Sequence, residues 1–234
     1  MPRSENAASG RYRFRIRNVE SVPKVAGLSI REMRWSDTAT VVAVHLEAFP
    51  GFFLSFLGPS FLRELYSSIV LDAAGISFVC CQGTRIKGFV AGTIQPAGFY
   101  SRLVRQRWWR FALASTKPAL FKPVIIPRLF RALRMPSEVQ SQLGVGTLMS
   151  IGVLPDAQRQ GIARELVKRF LFKAKRRGLT QVNLTTDRLN NEKVNQFYEG
   201  LGFGVIRTFT TPEGRQMNEY AICLRNCKLP LNCS

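Results

Sequence analysis

At 234 residues, 46% of them hydrophobic, the chain is long enough to bury a sizeable core and too apolar to be disordered throughout. Its formal net charge of +19 calls for an anionic partner, whether a phosphorylated cofactor, an anionic substrate, nucleic acid or a membrane surface, and by itself chooses none of them. No apolar run reaches the roughly 18–20 residues of a spanning helix, and residues 1–24 hold no apolar signal core, which points to the cytoplasm. Five cysteines (Cys80, Cys81, Cys223, Cys227, Cys233) and a single histidine, His45, have no metal-ligand spacing, so reduced thiols and no metal are expected.

In chain order, residues 1–26 read as a flexible basic tail, although the alternation from Arg11 to Arg17 also suits an edge strand. A short strand follows at 28–33. Ser36-Asp37 caps a helix running to about residue 48, with Ala39, Val42, Ala43 and Leu46 inward. Phe49-Pro50-Gly51 ends it, residues 52–59 form an unusually apolar loop, and a second helix spans about 60–71. Strands are expected at 76–81 and 86–94 around the turn Gln82-Gly83-Thr84-Arg85.

Between residues 96 and 145 the pattern breaks. No Asp or Glu occurs from Ala73 to Ser137, and Arg107-Trp108-Trp109-Arg110 is followed by Pro118, Pro123 and Pro127. Two or three helices inserted between two strands account for this. Regular alternation resumes with a strand at 147–153, a helix to 177, a strand at 181–185, a helix at about 192–201, and strands near 204–210 and 218–224. The organisation is therefore one domain at 27–227, carrying a helical basic insertion at about 97–145 and followed by a short tail at 228–234.

The densest signal lies at the strand before residue 155 and the helix after 161. Leu148-Met149-Ser150-Ile151-Gly152-Val153-Leu154-Pro155 reads as a buried strand ended by proline. Ile162, Ala163, Leu166, Val167, Phe170, Leu171 and Ala174 recur at helical spacing, and Gly178 follows as a stop. The loop between them, Gln158-Arg159-Gln160-Gly161, puts free backbone N–H groups at the positive end of a helix dipole, a ready site for phosphate. Dinucleotide and triphosphate binders also use strand, loop and helix. Their fingerprints need three glycines or Gly-Lys-Ser/Thr, and the loop has only Gly161.

Together with Asn191, Asn195, Phe197-Tyr198 and Leu201-Gly202-Phe203, this order resembles the GCN5-related N-acetyltransferase (GNAT) superfamily. The resemblance spans about 28–225 and is most specific over 149–203. It implies an α/β (α+β) fold, with a mixed, mostly antiparallel central sheet of six to seven strands flanked by helices. The insertion between the third and fourth strands departs from the family. The resemblance also implies acetyl-CoA as donor. Gln158, Arg159, Gln160, Gly161, Ile162 and Ala163 would cradle its pyrophosphate, the backbone of Ile151, Gly152 and Val153 would pair with the pantetheine, and Asn191 would hydrogen-bond it. Tyr198, seven residues after Asn191 and so on the same helix face, would protonate the leaving thiolate. A phenol with a pKa of about 10 suits a thiol leaving group. Gly152 is suited to a bulge.

A general base is not marked. Relatives that acetylate a ribosomal-protein alanine carry Glu where Thr186 stands, and Asp187 alternates to the other face. His45, Glu47 and Glu219 are the candidates. The expected activity is transfer of an acetyl group to the primary amine of a small, anionic acceptor such as an amino sugar or nucleotide amino sugar. Alternatives are a protein (N-terminal or lysine) acetyltransferase, or a non-catalytic CoA-binding module at a membrane or nucleic acid. No specific nucleic acid is expected; Trp108 and Trp109 among arginines leave room for peripheral contact with an anionic membrane surface.

Overall fold

The computed structural model describes residues 27–50, 53–96, 99 and 143–225. The basic tail, nearly all of the expected insertion (with Trp108, Trp109 and the arginines around them) and the C-terminal tail fall outside the described residues.

Seven strands form one sheet in the order β1-β2-β3-β4-β5-β7-β6. They are β1 (Leu28–Glu32), β2 (Gly75–Gln82), β3 (Arg85–Thr93), β4 (Val145–Val153), β5 (Gln181–Asp187), β6 (Gly204–Thr210) and β7 (Gln216–Cys223). Every neighbouring pair is antiparallel except β4 and β5, so the sheet is mixed and mostly antiparallel, as expected. The helices are α1 (Thr38–Ala48), α2 (Phe53–Phe56), α3 (Gly58–Leu71), α4 (Ile162–Arg176) and α5 (Glu192–Glu199). The apolar segment expected as loop thus contains the short helix α2. None of the described helices is long and apolar enough to cross a membrane.

Entry into α1 is fixed by Asp37. Its carboxylate accepts both arms of the Arg31 guanidinium, at 2.6 and 2.9 Å, and the Arg34 backbone N–H at 2.7 Å. The Arg31 hydrogen bond holds that carboxyl below its ordinary range. The buried face of α1 is Thr38, Val41, Val42, Val44 and His45, whereas Ala39 and Ala43, expected inward, are exposed. The reason is tertiary. The helix is wedged between α3 and strands β3 and β4, and burial on two sides favours the branched valines over alanine.

The helices divide between the faces of the sheet. On β3, the Phe89 ring lies 5.1 Å from Tyr66 of α3 and 6.3 Å from His45 of α1, ring centre to centre. Adjacent Gly88 points the other way, where an added Cβ would meet Ile162 of α4 at 3.2 Å. Gly92 lets α4 pack close, since a Cβ there would sit 2.8 Å from the Phe170 ring. Leu166, Val167, Phe170, Leu171 and Ala174 bury the inner face of α4, and Gly178, at φ +82°, turns the chain out of it.

The feature that makes a site is a failure of pairing. β4 and β5 run parallel and in register only over Val145–Thr147 and Gln181–Asn183, then diverge. Residues 148–153 of β4 remain bonded to β3 on one edge and face an opening on the other. A register shift pairs Ala91 with Ser150 and Gly92 with Leu148, leaving Met149 as the extra residue. The irregularity expected at Gly152 therefore lies at Met149. Gly152 is dictated by packing instead, because a Cβ there would press to 2.8 Å of the Phe89 ring and 3.2 Å of Phe49.

Candidate active site

The diverging strands open a slot of ≈ 580 Å³ lined from both faces of the sheet. The α4/α5 face contributes Gln158, Ala163, Asn191, Val194, Phe197 and Tyr198; the α1 face contributes His45, Phe49, Leu54, Ser150, Arg215 and Met217. Residue alternation assigns β5 and β7 to these faces. Leu184 and Thr186 lie opposite Tyr220 and Asn218 on the α5 side, and Asp187 lies opposite Met217 on the other side.

On the α4 side the loop is shaped to receive an anion. Gly161, at φ +79° and ψ −1°, caps α4 in the left-handed region, and Arg159 is also left-handed at φ 62°. The first helical hydrogen bond runs from Glu165 N–H to the Gly161 carbonyl at 3.1 Å. The N–H groups of Ile162, Ala163 and Arg164 thus precede it at the positive end of the dipole. Gln158 turns inward, its Nε2 reaching the Val153 carbonyl at 3.4 Å. Gln160 is exposed and donates to the Asp156 carbonyl at 3.3 Å. Ile162 is buried as the first core contact of α4. Along β4, Ile151, Gly152 and Val153 line the slot with the edge that has lost its strand partner. These features fit a pyrophosphate followed by an extended pantetheine arm.

Asn191 precedes α5, but its amide does not cap the helix. Nδ2 donates to Thr186 Oγ1 at 2.7 Å and to the Asp187 carbonyl at 3.0 Å, fastening the start of α5 to the end of β5. Thr186 is therefore occupied as an acceptor on the α5 side. Tyr198 lines the slot from the same helix, packed against Phe197, Phe203 and Tyr220. Burial raises its phenol pKa well above the ordinary value, so the hydroxyl stays protonated and is available as a donor or an acid.

The candidate bases fare differently. His45 lines the slot and is 3% exposed; Nδ1 lies 2.7 Å from Tyr66 Oη, and burial lowers its pKa to about 4. Glu47 sits on the exposed side of α1 and does not reach the slot. Glu219 is buried on the α1 side, but its two oxygens accept Asn183 Nδ2 at 3.2 Å and Arg207 Nε at 3.0 Å. Asp187, also bordering the slot, is gripped in a fork by Arg215 Nε at 3.0 Å and Nη2 at 2.6 Å.

Several residues here carry no motif. Lys87 of β3, 8% exposed, donates to Asp156 Oδ2 at 2.7 Å, and the Leu154 N–H bonds the Lys87 carbonyl at 2.9 Å. The loop leading into α4 is thus braced against the sheet, and the Lys87 hydrogen bond keeps the Asp156 carboxyl below its ordinary range. Ser150, Tyr66 and Arg215 likewise have no local signature beyond a polar residue in an apolar or turn setting.

Residues 128–203 match the Acetyltransferase (GNAT) family. No protein of curated function matches the chain by sequence. Among solved structures, an N-acetyltransferase from Staphylococcus aureus Mu50 superposes with a TM-score of 0.56 at 15% identity, over 85% of this chain and 99% of that one. The protein yncA of Salmonella typhimurium, assigned as an acetyltransferase and solved with its cofactor acetyl-CoA, gives 0.55 at 14% identity, over 88% and 99%. The ribosomal-protein-S18-alanine N-acetyltransferase of Escherichia coli gives 0.50 at 18% identity, again over 88% and 99%. At these identities the likeness to solved structures is one of fold.

Proposed function

We propose that this chain, which belongs to the GNAT acetyltransferase superfamily, moves the acetyl group of acetyl-CoA directly onto the primary amine of a small anionic acceptor. The observation that carries this reading is the slot between β4 and β5, lined from both faces of the sheet. The α4 side has the anion-receiving turn at Gly161, and the α1 side is lined by His45, Phe49, Leu54, Arg215 and Met217. The donor enters from one face and the acceptor from the other, so the two meet without exchanging places.

In this reading residues 158–163 hold the pyrophosphate, Ile151 to Val153 pair with the pantetheine, and Asn191 keeps α5 in place beside it. Tyr198, poised as a donor in the apolar wall, protonates the departing thiolate. His45 fits the task of a base better than Glu47, which faces away from the slot. The anionic acceptor is supported by charge. The only carboxylate lining the slot among the described residues is Asp187, which Arg215 already pairs, so that with Lys193 the lining carries a net positive charge. A polyamine or basic peptide would find no free acid there, whereas an amino sugar carrying phosphate would find partners.

The test is CoA release from acetyl-CoA with a panel of glucosamine 6-phosphate, a nucleotide amino sugar, spermidine and an alanyl peptide. Turnover is expected with the anionic amines, and Arg215→Gln should raise their KM. Faster turnover of spermidine or the peptide refutes the acceptor class, and no turnover with any amine refutes the activity. Tyr198→Phe should lower kcat by about 10²- to 10⁴-fold with the KM for acetyl-CoA unchanged. Wild-type turnover in that variant would reduce Tyr198 to packing.

A further inference from the structure

We infer that Ser150, Tyr66 and His45 form a proton relay running from the acceptor face of the slot into the core, with Ser150 taking the proton from the acceptor's amine. This rests on the acetyl-transfer reading above and adds the route by which the amine loses its proton.

Three side chains from three elements make one hydrogen-bonded line. Ser150 Oγ of β4 lies 3.0 Å from Tyr66 Oη of α3, and Tyr66 Oη lies 2.7 Å from His45 Nδ1 of α1. Ser150 is half-buried and lines the slot next to the bulge at Met149, on the same face as Gly152, whose missing Cβ would meet α1. Its hydroxyl is therefore the wet end. Tyr66 is fully buried and His45 nearly so. Such a line could simply satisfy buried polar groups. However, apolar side chains of the same shape would fill this core without any polar atom to satisfy, and the line leaves one unsatisfied. His45 Nε2 is buried with no hydrogen-bond partner among the described residues, beside the rings of Phe49 and Phe89.

That orphan atom fixes the tautomer. A bare lone pair among aromatic rings is unfavourable, whereas an N–H donor there can lean on a ring face. The proton therefore sits on Nε2, and Nδ1 accepts from Tyr66, which in turn accepts from Ser150. The Ser150 oxygen is left with lone pairs turned to the slot. Lowering of its pKa by burial keeps His45 uncharged and able to accept across the physiological range.

The step balances as follows. The amine nitrogen bonds the thioester carbonyl carbon and the C–S bond breaks. The nitrogen's surplus proton passes to Ser150 Oγ, as Ser150 gives its own to Tyr66 Oη and Tyr66 gives its own to His45 Nδ1. The thiolate takes the Tyr198 proton. The imidazolium then returns its proton along the line to solvent, and the Tyr198 phenolate is reprotonated from solvent. His45 is a poor resting place for a proton, which makes the return fast; the donor is acidic enough because nitrogen bonded to the former carbonyl carbon is far more acidic than a free ammonium.

Two measurements decide. In the free protein, the long-range ¹H–¹⁵N spectrum of the single histidine should report the Nε2–H tautomer, and an Nδ1–H tautomer overturns the relay without any acceptor present. With the best acceptor of the amine panel, Ser150→Ala and Tyr66→Phe should each lower kcat by about 10²-fold and shrink the solvent deuterium isotope effect. The KM for acetyl-CoA should stay unchanged, and Ser150→Thr, which restores a hydroxyl, should recover most of the rate. Wild-type kcat in Ser150→Ala overturns the relay alone. A wild-type protein inactive on the whole panel overturns the parent activity and the relay with it.

Discussion

His45 is the chain's only histidine, so its titration can be read without ambiguity and its energetic effect can be worked out. Burial lowers its pKa from 6.5 to about 4. The folded state thus favours the neutral ring, while the unfolded chain binds a proton near pH 6.5. Stability from this group is present above 6.5 and is lost as pH falls from 6.5 towards 4, where the native ring finally charges. At about 1.36 kcal/mol per pH unit the loss is about 3 kcal/mol, most of it complete by pH 4.5. For a chain of this size that lowers Tm by about 6–12 °C. Urea or thermal unfolding at several pH values between 7.5 and 4.5 measures the fall, and the imidazole resonances give the native pKa directly. In His45→Gln the limb between 6.5 and 4 should vanish, leaving the carboxylate limb at lower pH, where Asp37 is held low by Arg31. A native titration near 6.5, or the same acid loss in His45→Gln, would refute the buried, neutral ring and with it the inner end of the relay.

Two further outcomes concern the donor. Gly161→Glu adds strain at a left-handed position, about 1–2 kcal/mol, and sets a carboxylate against the pyrophosphate; acetyl-CoA affinity by calorimetry should fall at least about tenfold, with Gly161→Ala intermediate, and unchanged binding would move the cradle elsewhere. Lys87→Met should unfasten Asp156 and weaken acetyl-CoA several-fold while Lys87→Arg does not, whereas equal binding in both variants would make the brace idle.

What could be read from the sequence follows the range of the interactions. The turn at Gly161 and the placing of Gln158, Asn191 and Tyr198 along the slot follow from fixed offsets from a strand end or a helix start, so a few residues of context define each position. The relay was not legible in this way, because its hydrogen bonds join residues 21 and 84 positions apart. Only the packing of α1 and α3 onto β3 and β4 brings them together. The bulge belongs to Met149 and not to Gly152 for a related reason: strand register is settled between β3 and β4, not within either. The alanines of α1 were misplaced because periodicity gives a face but not its angle, which depends on how many neighbours the helix has. Lys87 looked like any strand lysine until its stem was buried and its charge met Asp156.

The missing carboxylate at Thr186 becomes intelligible once the two sides of the slot are considered together. At that position Thr186 serves instead to hold Asn191. On the acceptor side the slot is walled by Phe49, Leu54 and Met217, which penalise an ammonium and favour the free amine. Desolvation therefore does part of the deprotonation before attack, and only the proton released during attack needs a route. A neutral hydroxyl line supplies that route without placing a permanent charge in an apolar wall. If that is why no acid is needed, introducing one should not help. Thr186→Glu, on the α5 face, should break the Asn191 tie and weaken acetyl-CoA without raising kcat; a gain in kcat would mean that the amine approaches from the α5 side and that the proposed donor and acceptor sides are reversed.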